Sequence, residues 1–145
     1  MSTKAVQGQL VANMRSWQKV ENASVASTGK IIEETENPIV RLVMEIIQHD
    51  SQMHYRVQGW IADSLTEKTV SLSPDEVGSV WEAIKRHIEI EKKTIRLAQE
   101  SLKALKGRKM LVQEYLLNYL LEDEKKHNRL LEALRKVQKG MYPYG

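Results

Sequence analysis

The sequence predicts an all-α fold, a four-helix bundle made of two αα-hairpins. Three observations carry this. Apolar residues recur at three- and four-residue spacing through four long stretches. The links between those stretches are short, which favours antiparallel neighbours. Proline and glycine are few, three and seven, and they sit mostly at the boundaries.

The first helix, about residues 5–35, carries Leu10, Met14, Trp17, Val20, Val25 and Ile31. The second, about 38–65, opens on Asn37-Pro38, an N-cap followed by proline at the first helical position, and carries Ile39, Val43, Ile46, Val57 and Ile61. The third, about 74–105, opens on Ser73-Pro74-Asp75-Glu76, a capping box, and carries Val77, Trp81, Ile84, Ile88, Ile95, Ala98, Leu102 and Leu105. Lys106-Gly107-Arg108 marks its end. The fourth, about 109–138, carries Met110, Leu117, Leu121, Leu131, Leu134 and Val137, and Lys139-Gly140 stops it before a tail over 140–145. At 1.5 Å per residue each helix is about 42–48 Å long. A chain of 145 residues is read as one domain, 1–145, able to bury a core without disulfides. The link from 65 to 73 reaches at most about 33 Å, so an up-down-up-down path and a longer crossover both stay open.

Composition removes several function classes. With no cysteine there is no disulfide framework, thiolate zinc site, rubredoxin-type iron or iron–sulfur cluster, so any metal is held by His, carboxylate and water. No leader pattern and no apolar run of about 18 residues is present, so a cytoplasmic protein with no membrane partner is expected. The 22 basic and 19 acidic residues make a mixed surface with net charge +3. The excess is local, since residues 85–109 hold nine Lys or Arg against three Glu. A solvated helix face is the ordinary reading of that segment; docking of an anionic partner, nucleic acid included, is the alternative. No Gly-rich phosphate loop and no serine on a strained elbow occurs.

The chemistry lies where the apolar stripes are interrupted at mid-length. The first helix places Glu21 one turn after Trp17. The second runs Val43, Ile46, Asp50, His54, Val57, the third Ile84, His87, Glu91, Ile95, and the fourth Leu117, Leu121, Glu124, His127, Leu131. Spacings of three and four put these ionisable groups on the core side of each helix. Counting rise from each hairpin turn brings Glu21 level with His54, and Glu91 level with His127. A shift of 73 positions superposes Asp50 on Asp123, His54 on His127 and Arg56 on Arg129. The separations from Glu21 to His54 and from Glu91 to His127 are 33 and 36 residues, so the hairpins read as two copies of one pattern.

A Glu on the first helix, a His-bearing motif on the second, a Glu on the third and Glu124-x-x-His127 on the fourth resemble the ferritin-like di-iron carboxylate bundles. The closest likeness is to their small rubrerythrin-like members, over about residues 10–138. The resemblance implies Glu21 and Glu91 as terminal ligands, Glu124 as a bridge, and His54 and His127 as nitrogen ligands of iron, with manganese second. It departs at Ser51, which stands where the second helix's Glu belongs. Asp50 is then a candidate substitute and His87 an extra nitrogen ligand or a partner of Glu91, so di-iron and mononuclear sites both stay open. The resemblance implies iron oxidation or storage, an external electron donor if the site is redox-active, and a homodimer. The rival reading is a metal-free bundle, a structural or interaction module whose buried His–carboxylate pairs fix helix register. His49, Glu122 and the cluster Glu33, Glu34 and Glu36 are expected at the surface, and Trp17, Trp60 and Trp81 in the core.

Overall fold

A computed structural model describes residues 1–67 and 74–140. Four helices account for nearly all of them, in the order α1 (Thr3–Glu34), α2 (Pro38–Thr66), α3 (Pro74–Ala104) and α4 (Leu111–Gly140). Among the described residues there is no strand and no helix long and apolar enough to cross a membrane. The chain divides into two compact units, Met1–Val70 and Ser71–Gly145. The first holds the antiparallel pair α1 and α2, the second the pair α3 and α4. The fold class is therefore all-α and built of two αα-hairpins, as the periodicity predicts.

The helix ends follow local chemistry. Ser2 caps α1, its Oγ accepting from the Ala5 N–H at 3.1 Å. Asn37 caps α2, its Oδ1 accepting from the N–H groups of Ile39 and Val40 at 3.0 and 3.1 Å. At the end of α3, Gly107 turns the chain with φ +78, a conformation costly for a side chain bearing Cβ. The Ser73 half of the predicted capping box, the link over 68–73 and the tail over 141–145 lie outside the described residues.

Within the first hairpin the contact seam is more polar than the stripe suggests. Its buried residues are Met14, Gln18, Glu21 and Thr28 from α1 and Ser51, Gln58 and Ala62 from α2. Two glutamines clasp the helices. The Gln18 side-chain amide donates to the Tyr55 carbonyl at 3.1 Å, close beside Gly59, where a Cβ would stand 3.0 Å from Gln18 Nε2. Toward the other end Gln48 donates to the Val25 carbonyl at 3.2 Å, beside Gly29. Each acceptor lies four residues before its glycine, so the missing side chain admits the amide to a helix carbonyl. Arg15 adds an ion pair to Asp63 at 2.8 Å and a bond to Gln18.

Several residues expected in the core lie beside the seam instead. Trp17 and Trp60 are 51% and 60% exposed, and Val20 and Val57 are exposed too. The physical reason is that a helical apolar stripe spans a wide arc, while one antiparallel neighbour covers only one edge of it. Trp81 is half-buried, with the Arg135 guanidinium 4.9 Å from its ring centroid. His49, Glu122, Glu33, Glu34 and Glu36 are exposed, as expected.

Candidate metal centre

The second hairpin gathers its ionisable side chains around Glu91, which is 6% exposed. Glu91 faces α4 because it sits in the seam row Ile84, Ile88, Glu91, Ile95 and Ala98. Glu124 and His127 face it because they occupy the matching stripe of α4. One oxygen of each carboxylate and one ring nitrogen of His127 all lie within 4.8 Å of one another. No other group of three such residues occurs among the described residues.

Each member is held by a neighbour. His87, one turn before Glu91, bonds its Oε1 through Nε2 at 2.8 Å. This leaves Glu91 Oε2, buried and without a hydrogen-bond donor, facing His127 Nδ1 at 3.7 Å. Thr94 donates to Glu124 Oε2 at 3.0 Å. The Nε2 of His127 lies 3.2 Å from Asp123 Oδ2, so the ring is fixed from behind and Nδ1 is turned toward Glu91 and Glu124. A carboxylate behind a histidine is the usual support of a metal-ligating imidazole.

Two carboxyls this close cannot both ionise freely, and their proton affinities split. Glu124 is raised above the usual carboxylate range, chiefly because it keeps the proton in its contact with Glu91, and further by burial. Glu91 is lowered, chiefly by accepting that hydrogen bond, with help from the bond and charge of His87 and the charge of His127, against the opposing effect of burial. The contact is a hydrogen bond only while one of the two carboxyls holds a proton. A cation can replace that proton.

The donor set fits a first-row divalent ion. Ligands to one such ion stand about 2.0–2.2 Å from it and so up to about 4.4 Å apart, close to the spacing found here. The mixture of imidazole nitrogen and carboxylate oxygen suits iron, manganese or zinc.

Of the seven residues expected as ligands, Glu91, Glu124 and His127 converge, and His87 takes the part of a partner to Glu91. Glu21 and His54 meet in the first hairpin as the level-matching predicts, with Oε1 and Nδ1 3.7 Å apart, but only Glu21 is buried; His54, expected to face the core, is exposed at the edge of the seam. Asp50 is half-buried and belongs to no three-ligand group. Its counterpart in the repeat, Asp123, stands 3.2 Å from His127 Nε2, whereas the ion pair of His54 is with Glu21. Sequence reading missed Thr94 and Ser24. Both lie three residues after a stripe glutamate, and that spacing is the signal that finds them. No protein-family model, curated protein or solved structure matches the chain.

Proposed function

We propose that this chain is a ferritin-like metal-binding protein. It takes a divalent first-row ion, iron first and manganese second, at Glu91, Glu124 and His127 of the second hairpin. The observation that carries the reading is the convergence of two carboxylates and one supported imidazole on a single point in the seam. An unpaired charge on buried Glu91 would cost several kcal/mol there, and a cation offsets it. Glu124 gives up its proton on binding, and Glu91 Oε2 and His127 Nδ1 are already turned inward by His87 and Asp123. The bound ion would supply Lewis acidity and, for iron, electron transfer. Iron handling or oxidation is the function class this supports. With no cysteine in the chain, sustained turnover draws on an external reductant.

The test is anaerobic Fe(II) titration of chelator-treated protein, read by bound metal and by thermal shift. Saturable binding with stabilisation is expected, and Glu124→Ala abolishes both. Absence of binding in the parent protein overturns the reading.

One observation favours a second reading. His87, Glu91, Thr94, Glu124, His127 and Asp123 already form a connected network, which could serve as a register-fixing polar layer without metal. In that case Fe(II) leaves the thermal transition unmoved, while Glu124→Ala still destabilises the protein.

A further inference from the structure

The two hairpins place a carboxylate, an imidazole and a cross-helix hydroxyl alike, and of the three ligands of the second the first lacks one, while Trp17 stands at the place of His87. Moving α1 by 70 positions and α2 by 73 pairs Glu21 with Glu91, Ser24 with Thr94, His54 with His127 and Ser51 with Glu124. The carboxylate-to-imidazole distance is 3.7 Å in both, from Glu21 Oε1 to His54 Nδ1 and from Glu91 Oε2 to His127 Nδ1. The cross-helix hydroxyl repeats as well. Ser24 Oγ lies 2.8 Å from Ser51 Oγ, where Thr94 Oγ1 lies 3.0 Å from Glu124 Oε2. In each hairpin one oxygen of the seam glutamate, Glu21 Oε2 or Glu91 Oε2, is buried without a hydrogen-bond partner among the described residues.

We infer that the first hairpin is a metal site one carboxylate short. The chain then binds one ion, and Ser51→Glu alone creates a second site of the same kind. This rests on the metal reading of the second hairpin. With Ser51 in place, Glu21 and His54 offer one anionic and one neutral donor, and the two hydroxyls already satisfy each other. That set does not replace the hydration of a divalent ion. A carboxylate at position 51 adds the bridging-type ligand and a second negative charge, and Ser24 can donate to it as Thr94 donates to Glu124. There is room for the longer side chain. Ser51 is buried beside a cavity of about 360 Å³, which Glu21, Asn22, Gln52 and Tyr55 also line.

The experiment counts Fe(II) per chain by anaerobic equilibrium dialysis of the full-length protein. The parent is expected to bind one ion, Ser51→Glu two, and Ser51→Glu with His54→Ala one. Ser51→Glu combined with Glu124→Ala should keep one, now in the first hairpin. A folded Ser51→Glu variant that stays at one ion overturns the inference. A second arm does not depend on that variant folding. His54→Ala in the parent background leaves the count at one, and a fall to zero means that the first hairpin already contributes a ligand, which also overturns it. If the parent binds nothing but the Ser51→Glu, Glu124→Ala double variant binds one ion, the reading of the second hairpin fails while the repeat inference stands.

Discussion

Replacing Glu124 by Gln should stabilise the metal-free protein and abolish its response to metal. The substitution keeps the shape of the side chain and an oxygen able to accept from Thr94, so it isolates charge. The ligand atoms of Glu91 and Glu124 lie within 4.8 Å. At an effective dielectric of about 20, two unit charges at that separation repel by about 3.5 kcal/mol. The contact with Glu91 makes Glu124 hold its proton to higher pH than an ordinary carboxyl, and the two imidazoles attenuate the repulsion further. Removing the charge at position 124 is expected to recover part of that repulsion, about 1–2 kcal/mol. For a chain of this size that is a rise of about 3–8 °C in the apo melting temperature.

Metal reverses the order. At a free ion concentration one hundred times Kd, binding stabilises the parent by about 2.7 kcal/mol, and the variant gains nothing. The assay is thermal unfolding followed by circular dichroism at neutral pH, after chelation and again under anaerobic Fe(II). The expected pattern is a crossing, with the variant more stable without metal and the parent more stable with it. A variant less stable than the parent in the apo state would refute the charge argument, because the carboxyl pair would then be a favourable contact. A variant that keeps the metal-induced shift would remove Glu124 from the ligand set.

Three further outcomes follow from the same geometry. Glu124, with its raised pKa, contributes stability that is complete below about pH 4.5 and is lost as pH rises through its folded value. Glu91, with its lowered pKa, contributes stability that is present above about pH 4.5 and is lost as pH falls through its own. Apo stability should therefore rise on mild acidification and fall again in strong acid, and the difference between parent and Glu124→Gln, measured against pH, isolates the first of these two arms. Asp123→Asn removes the anion behind His127 and should weaken Fe(II) binding by about 10- to 100-fold with little change in apo melting temperature; unchanged affinity would show that the ring needs no such support. Gly59→Ala places a Cβ 3.0 Å from Gln18 Nε2 and disturbs the bond to Tyr55, so the gain of about 1 kcal/mol from helix propensity is cancelled or reversed, whereas Gly8→Ala, with nothing within 4 Å, keeps that gain. Denaturant midpoints of the two variants decide it, and equal shifts would refute the clasp.

The sequence shows the helices and their ends because caps and spacing are local. Asn37-Pro38 and Gly107 mark boundaries through side-chain and backbone chemistry confined to a few residues. The pairings Glu21 with His54 and Glu91 with His127 were legible for a related reason. In an antiparallel hairpin, residue counts from the turn fix depth, and both pairs fall at 3.7 Å. What periodicity does not specify is which edge of a stripe the neighbouring helix takes. Trp17 and Trp60 therefore read as core and are exposed, while Gln18 and Gln58, outside the apolar stripe, are buried. Second partners were equally hidden. Thr94 acts through its reach to Glu124 on the other helix and Asp123 through His127 one turn on, so each shows its role only once the ligand it supports is identified.

The two seams solve one problem in opposite ways. A hairpin with a polar centre must pair its buried groups, and the first does so largely with neutral donors and acceptors, two glutamine clasps and a serine pair, while Glu21 Oε2 and Gln58 Oε1 find no hydrogen-bond partner among the described residues. Such a seam fixes register at little electrostatic cost, because neutral hydrogen bonds retain their partners at any pH in the working range. The second hairpin has isoleucine and leucine where the first has Gln18 and Gln48, at Ile88 and Leu121, and concentrates its polarity in a charged group instead. Only there do two carboxyls compete for one proton. An arrangement that leaves apolar surroundings to carry the packing and a charged centre unsettled without a cation is costly as mere structure. It is economical as a binding site, which is why the proposed metal reading falls on the second copy of the repeat.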